Sequence, residues 1–188
     1  MTTSIYDKLI AVTNRSLCTS DYLTQIERIC LHRPRAVLLR EKDLPIAEYT
    51  QLARTVKEIC DQHNTPLIIH NYPETARTLH ISRLHLPLSQ LHDLKHRQEW
   101  QCLGTSCHSM EQLKEALSLG VSYVFLGNVF ETTCKPGVPA KGLNLLREIC
   151  AESTVPVYAI GGISLERLPS ILEAGAAGGC MMSGFMTL

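Results

Sequence analysis

Val121 to Gly142 reads V-S-Y-V-F-L-G-N-V-F-E-T-T-C-K-P-G-V-P-A-K-G. It opens as an apolar run, Tyr123 to Leu126, with the length and composition of a buried strand. Gly127 ends the run, and the loop after it carries Thr132, Thr133, Cys134 and Lys135. A strand that feeds hydroxyls, a thiol and an ammonium into one loop suits an anionic ligand. Lys135 neutralises charge, and Thr132 and Thr133 donate hydrogen bonds. Read alone, an ordinary polar surface loop is the simpler description.

Two further stretches change that balance. Val155 to Ser164 reads V-P-V-Y-A-I-G-G-I-S, an apolar run ending in a glycine pair, and Gly175 to Gly184 reads G-A-A-G-G-C-M-M-S-G. Paired glycines after a strand let a ligand approach the backbone and aim N–H groups at a phosphate. In α/β barrels the loops after the last two strands form such a site.

Working outward, apolar runs alternate with amphipathic segments along the whole chain. Strands are expected at Leu9 to Thr13, Ala36 to Leu39, Leu67 to Ile69, Arg83 to Leu86, Trp100 to Gly104, Tyr123 to Leu126, Pro156 to Ile160 and Gly178 to Met182. Helices are expected between them. Ser20 or Asp21 caps the first, Pro45 opens the second, and Tyr72 to Leu79 is short. Leu88 to Glu99 is a weak helix. Ser109 caps the clearest one, which Gly120 stops, and Leu143 to Cys150 follows strand six. Ser164 caps the helix from Leu165 to Glu173. This is the pattern of parallel βαβ units, and eight of them favour a closed (β/α)8 TIM barrel over an open sheet. The chain has 188 residues, fewer than the roughly 200 or more such a barrel usually takes. One domain over residues 1–188 is expected, with the last helix short or missing.

Composition narrows the function. Formal net charge is zero, and no basic patch points to nucleic acid. No apolar run is long enough for a membrane span or a signal peptide, so a cytoplasmic protein is expected. Eight cysteines are scattered with no Cys-x-x-Cys pair, which speaks for reduced thiols, several of them in the core. No Gly-x-Gly-x-x-Gly opens the first helix, which speaks against a dinucleotide fold. The residues that end the strands are Arg40, Lys42, His70, Asn71, Ser106, His108, Asn128, Thr132, Cys134, Lys135, Gly161, Gly162, Met182 and Ser183. That polar, basic set suits a small anion.

Seven pieces now carry a resemblance: L-L-R-E-K from Leu38, L-I-I-H-N from Leu67, L-G-T-S-C-H-S from Leu103, G-N-V-F-E-T-T-C-K from Gly127, G-V-P-A-K-G-L from Gly137, A-I-G-G-I from Ala159 and M-M-S-G from Met181. In this order and spacing the chain resembles the thiamine phosphate synthase/TenI superfamily over nearly its whole length. The resemblance implies an α/β barrel that binds a thiazole phosphate beside its last two strands. It also implies one of two activities. Synthases join a pyrimidine pyrophosphate to the thiazole phosphate with magnesium. TenI-type proteins aromatise a thiazole carboxylate phosphate by tautomerisation, without a metal or other cofactor.

Individual positions bear on that choice. Synthases follow strand three with Asn-Asp and place a second Asp after strand four. The matching residues here are His70, Asn71 and Gln90, and a neutral amide is a poor ligand for a hard cation. Leu38 stands where the synthases have a glutamine. The run E-T-T-C-K-P-G-V-P-A-K-G is nearest the TenI pattern. That pattern has a proton-shuttling histidine after the strand-six glycine, and this chain has Asn128. An amide carries no proton near neutral pH.

A tautomerase is therefore expected, with a catalytically silent thiazole-phosphate-binding or regulatory protein as the alternative and a synthase third. The implied phosphate donors are Gly161, Gly162, Met182 and Ser183. Arg40 and Lys42 face the carboxylate, or else form a solvated charged triplet with Glu41. Ser106, Thr132 and Lys135 line the remainder. Candidates for the relocated shuttle are Cys134 and His108, then His70 and, if desolvated, Lys42, with Asn128 left to orient or polarise the substrate as a hydrogen-bond donor. Each has an ordinary alternative: a loop cysteine, a helix-end histidine, a loop histidine. His85, inside a strand, reads as a hydrogen-bonded core residue. A homo-oligomer, a dimer, is the expected assembly.

Overall fold

A computed structural model describes residues 4–132 and 137–188. The eight parallel strands follow one another in the order β1 to β8 and close into a barrel. The elements are β1 (Leu9–Val12), α1 (Tyr22–Leu31), β2 (Ala36–Leu39), α2 (Ile46–Gln62), β3 (Leu67–His70), α3 (Pro73–Thr78), β4 (Arg83–Pro87), α4 (Leu88–Asp93), β5 (Cys102–Cys107), α5 (Met110–Ser118), β6 (Tyr123–Gly127), α6 (Gly142–Glu152), β7 (Val157–Ile160), α7 (Leu168–Glu173), β8 (Gly178–Met181) and α8 (Ser183–Met186). This is the TIM-barrel fold expected above, with its last helix cut to one turn. The chain divides into two compact units, residues 4–84 with 182–188, and residues 85–181.

In the first unit, β1 pairs with β2 and β2 with β3, in a register that sets Val12 opposite Leu38 and Leu39 opposite Ile69. All four residues of each of these strands are buried, as expected of strands covered on both faces. Asp21 caps α1 by accepting from Thr24 N–H. Ile26, Ile29 and Cys30 are its buried stripe, and Tyr49, Ala53, Val56 and Cys60 are that of α2, at the helical spacing of one apolar face. Gln25 Nε2 donates to the carbonyl of Phe185 at 2.7 Å and ties α1 to α8.

In the second unit, β5 to β8 pair in sequence, with Gly104 opposite Tyr123, Gly127 opposite Ile160 and Tyr158 opposite Gly178. A Cβ at Gly104 would lie 2.0 Å from Cζ of Tyr123, so the phenol ring fills the space the glycine leaves open. Tyr123, Phe125, Tyr158 and His85 form an aromatic cluster. The His85 ring stacks on Phe125 at 4.3 Å between centroids, and Tyr158 meets both other rings edge-on.

Three boundaries depart clearly from the sequence reading. β5 runs on through Thr105, Ser106 and Cys107, because these residues, though polar, pair with β6, and Thr105 Oγ1 donates to the Leu86 carbonyl at 2.8 Å. α4 stops at Asp93, and only a short 3-10 turn follows at Arg97–Glu99. α7 starts at Leu168 rather than Leu165. Pro169 has no N–H to bond back to Leu165 and fits only a first turn. The strand expected from Gly178 is β8, so the pair Gly178-Gly179 lies inside it and is not among the loop donors after it. Among the described residues, no helix is long and apolar enough to cross a membrane, and Cys30, Cys60, Cys107 and Cys180 are buried free thiols.

Candidate functional site

The first unit contributes the ends of β1, β2 and β3. Glu41, read above as part of a solvated triplet, is 2% exposed. Its Oε1 accepts from Thr13 Oγ1 at 2.7 Å and Tyr22 Oη at 3.1 Å. Its Oε2 accepts from Arg15 N at 3.1 Å and Arg15 Nε at 3.4 Å. Thr13 Oγ1 in turn accepts the backbone N–H of Arg40 at 3.0 Å. A buried carboxylate satisfied by four donors fixes the backbone on which Arg40 and Lys42 stand. Past the end of β2, Arg40 is half-buried, Glu41 buried and Lys42 exposed, so Glu41 is the internal anchor between the two cations.

His70 ends β3 and is 8% exposed. Burial, followed by the positive charges of Arg40 and Lys42, lowers its pKa from 6.5 to about 3. It is therefore a neutral imidazole at physiological pH and cannot act there as an acid. Tyr49 of α2 bridges the two strand ends. Its hydroxyl donates to the Leu39 carbonyl at 2.7 Å and accepts from His70 N–H at 3.2 Å. Asn71 follows with φ at +67°, a left-handed conformation that asparagine tolerates. Its Oδ1 is buried without a partner among the described residues. Met182 and Ser183 open α8, and the Met182 carbonyl accepts from Met186 N–H at 3.0 Å.

The second unit contributes the ends of β4 to β7. Ser106, partly exposed on β5, lies 3.0 Å by its Oγ from His85 Nε2. His85 Nδ1 lies 3.1 Å from Tyr123 Oη. His108 donates its backbone N–H to Gln112 Oε1 at 2.7 Å, and its Nδ1 pairs with the Gly127 carbonyl. A carbonyl only accepts, so Nδ1 carries the hydrogen and Nε2 is the basic nitrogen of neutral His108.

Asn128 is 2% exposed. Its Nδ2 donates to the carbonyls of Phe130 and Val138, each at 3.3 Å. Its own carbonyl accepts from Lys141 N–H at 2.9 Å. Asn128, expected as a donor to the substrate, spends its Nδ2 on two loop carbonyls and is thus the brace of the loop after β6. Its Oδ1, buried without a partner among the described residues, is left as an acceptor. Thr132 is half-buried on the same loop. Cys134 and Lys135 lie outside the described residues.

Gly161 and Gly162 form the turn after β7, with φ of +93° and +66°. Their need for glycine is packing as well as conformation. A Cβ on Gly161 would lie 2.4 Å from Asn128 Cβ, and one on Gly162 would lie 2.5 Å from the Glu131 carbonyl oxygen. Phe130 N–H donates to the Gly161 carbonyl at 3.1 Å. Arg167 donates to the Gly162 carbonyl at 2.7 Å and lies over the Phe130 ring, 4.7 Å from its centroid.

The structure places Arg40, Lys42, His70, Met182 and Ser183 in the first unit, and Ser106, His108, Asn128, Thr132, Gly161 and Gly162 in the second. Sequence reading missed the anchoring by Glu41 and the contact of His85 with Ser106. The alternation of Arg40, Glu41 and Lys42 was a signal for the first. The second pairs residues 21 positions apart and leaves no local trace.

Comparison with known proteins agrees with the barrel fold. The chain is 32% identical over 185 residues to thiamine-phosphate synthase 2 of Streptococcus pneumoniae, covering 95% of this chain and 87% of the relative. It is 30% identical to the putative thiamine-phosphate synthase 2 of Aquifex aeolicus, covering 95% of this chain and 97% of that one. Among solved structures, the thiamine phosphate pyrophosphorylase of Pyrococcus furiosus matches with a TM-score of 0.85 at 23% identity, over 97% of this chain and 88% of that chain. The family model described as thiamine monophosphate synthase matches residues 9–185, so the chain belongs to the thiamine monophosphate synthase family.

Proposed function

We propose that this chain binds a thiazole phosphate and catalyses the tautomerisation that aromatises a thiazole carboxylate phosphate. The observation that carries the reading is the donor chemistry after β3 and β4. The joining reaction of the family implies a divalent cation held by carboxylates. Asn71 offers one neutral amide oxygen, and Gln90 is an exposed amide. Among the described residues, no group of three His, Cys, Asp or Glu side chains can hold a metal ion. Glu41, buried beside Arg40, already accepts four hydrogen bonds. These residues do not fit magnesium, which needs hard, charged oxygen ligands.

A proton shift needs no cation. In the second unit, the backbone N–H groups of Gly161 and Gly162 take the phosphate, and Ser106 and Thr132 line the ligand. In the first, Arg40 and Lys42 offer charge to a carboxylate, His70 stays neutral beside them, and Met182 and Ser183 offer backbone donors to an anion. Lys135 and Cys134 complete the loop that the resemblance assigns to the ligand.

The names of the relatives favour the joining reaction, and Asn128 favours a silent binding protein, because its amide is committed to the loop. One experiment separates the three readings. Purified protein is given the thiazole carboxylate phosphate tautomer, and aromatisation is followed by proton NMR. In parallel it is given magnesium, pyrimidine pyrophosphate and thiazole phosphate. Aromatisation without thiamine phosphate formation is expected. Thiamine phosphate formation establishes the synthase, and binding without either product establishes the silent protein. We also propose a homodimer, supported by the exposed apolar side chains Ile5, Leu31 and Ile46 of the first unit. Sedimentation at a monomer's mass overturns it.

A further inference from the structure

We infer that His85 is the proton store of the tautomerisation, reached through the hydroxyl of Ser106. The inference rests on the tautomerase reading above. His85 is 2% exposed on β4. Its Nε2 stands 3.0 Å from Ser106 Oγ, its Nδ1 stands 3.1 Å from Tyr123 Oη, and its ring lies flat on Phe125 at 4.3 Å. Two polar contacts and a stacked face fix the ring in one orientation. The three groups run from a partly exposed hydroxyl, through a buried imidazole, to a buried phenol.

A serine hydroxyl alone is too weak an acid or base to move a proton from carbon. An imidazole at hydrogen-bond distance removes that limit. Of the other candidates among the described residues, Asn128 carries no proton, and His70 is held neutral by its surroundings. His108, whose Nδ1 hydrogen goes to the Gly127 carbonyl, keeps a basic Nε2 and is the competing base.

In the forward step, a proton leaves the substrate carbon for Ser106 Oγ while the Ser106 hydroxyl proton passes to His85 Nε2. The C–H electron pair stays in the conjugated system of the substrate. Nδ1–H remains donated to Tyr123 Oη. The reverse flow delivers one proton to the other end of that system and restores Ser106 and His85. One proton leaves and one returns, so no oxidant or reductant is needed. The starting tautomer is His85 with its hydrogen on Nδ1 and a bare Nε2. Burial, followed by the nearby Cys102, Cys180 and Tyr158, keeps Tyr123 a neutral phenol.

Two measurements test His85 in this positioning role. Nitrogen-15 NMR of histidine-labelled protein, with His85→Gln to assign the signal, reads the tautomer without substrate. A bare Nε2 whose signal moves in Ser106→Ala is expected, and a protonated Nε2 overturns the inference. Kinetics on the thiazole carboxylate phosphate tautomer come second. His85→Gln keeps an amide near Ser106 but stores no proton, so kcat should fall by about 100-fold or more with KM within about threefold. Should His85→Gln fail to fold, Ser106→Ala carries the same expectation. An active wild type with an undiminished kcat in the variant overturns the relay alone. An inactive wild type overturns the tautomerase reading and the relay's part in it together.

Discussion

Gly161 packs against Asn128 so closely that a Cβ on the glycine would fall 2.4 Å from Asn128 Cβ and 2.7 Å from its Cα. The turn that offers backbone donors and the residue that braces the β6 loop are therefore one packed unit.

Gly161→Ala should destabilise the protein by about 3 kcal/mol, combining backbone strain at positive φ with an overlap that no rotamer relieves. Gly120 supplies the control. It also has positive φ, at +77°, but nothing lies within 4 Å of its added Cβ, so Gly120→Ala should cost only about 1 kcal/mol. Urea denaturation of the two variants checks the difference. Equal losses would show that packing on Asn128 is unimportant.

Asn128→Asp preserves shape but turns the donating amide into an acceptor facing the Phe130 and Val138 carbonyls. A buried charge against two carbonyl oxygens should cost about 2–4 kcal/mol. It should also open the β6 loop to limited proteolysis between Val129 and Lys141. Asn128→His carries the same loss of the brace, so any gain in turnover in that variant would have to appear despite a lower melting temperature.

Glu41→Ala leaves Thr13 Oγ1, Tyr22 Oη and Arg15 N–H without their shared acceptor. A loss of about 3 kcal/mol is expected, together with weaker binding of the carboxylate-bearing ligand, because the Arg40 backbone hangs from Thr13. Calorimetric titration beside thermal melting reads both effects. Unchanged affinity would detach Glu41 from the ligand.

His70 makes stability depend on pH. Its folded pKa, about 3, lies below the unfolded value of 6.5. Between those values the unfolded chain binds more protons, so stability rises with pH across the window. The contribution is complete above about pH 6.5 and is lost as pH falls toward 3. Its size is on the order of a few kcal/mol. His70→Asn should flatten this slope in urea denaturation between pH 4 and pH 7.

The barrel was legible because each strand is a short apolar run and each helix keeps a buried stripe, as Ile26, Ile29 and Cys30 do. Boundaries failed where one residue overrode the pattern. Pro169 delayed α7, and pairing with β6 drew Ser106 into β5. Site residues at strand ends could be named from sequence, since order along the chain sets them. Their partners could not. Glu41 looked solvated beside two cations, and the contacts of His85 with Ser106 and Tyr123 span 21 and 38 positions.

The phenol ring of Tyr123 occupies the volume that a side chain at Gly104 would need. The two positions therefore constitute a single steric choice. Any larger residue at 104 demands a smaller one at 123, and that exchange would strip the hydroxyl from His85 at the same stroke. Volume in the barrel interior and the poise of the imidazole are inherited together, so a redesign that repacks this layer for stability alone would also change the chemistry of His85.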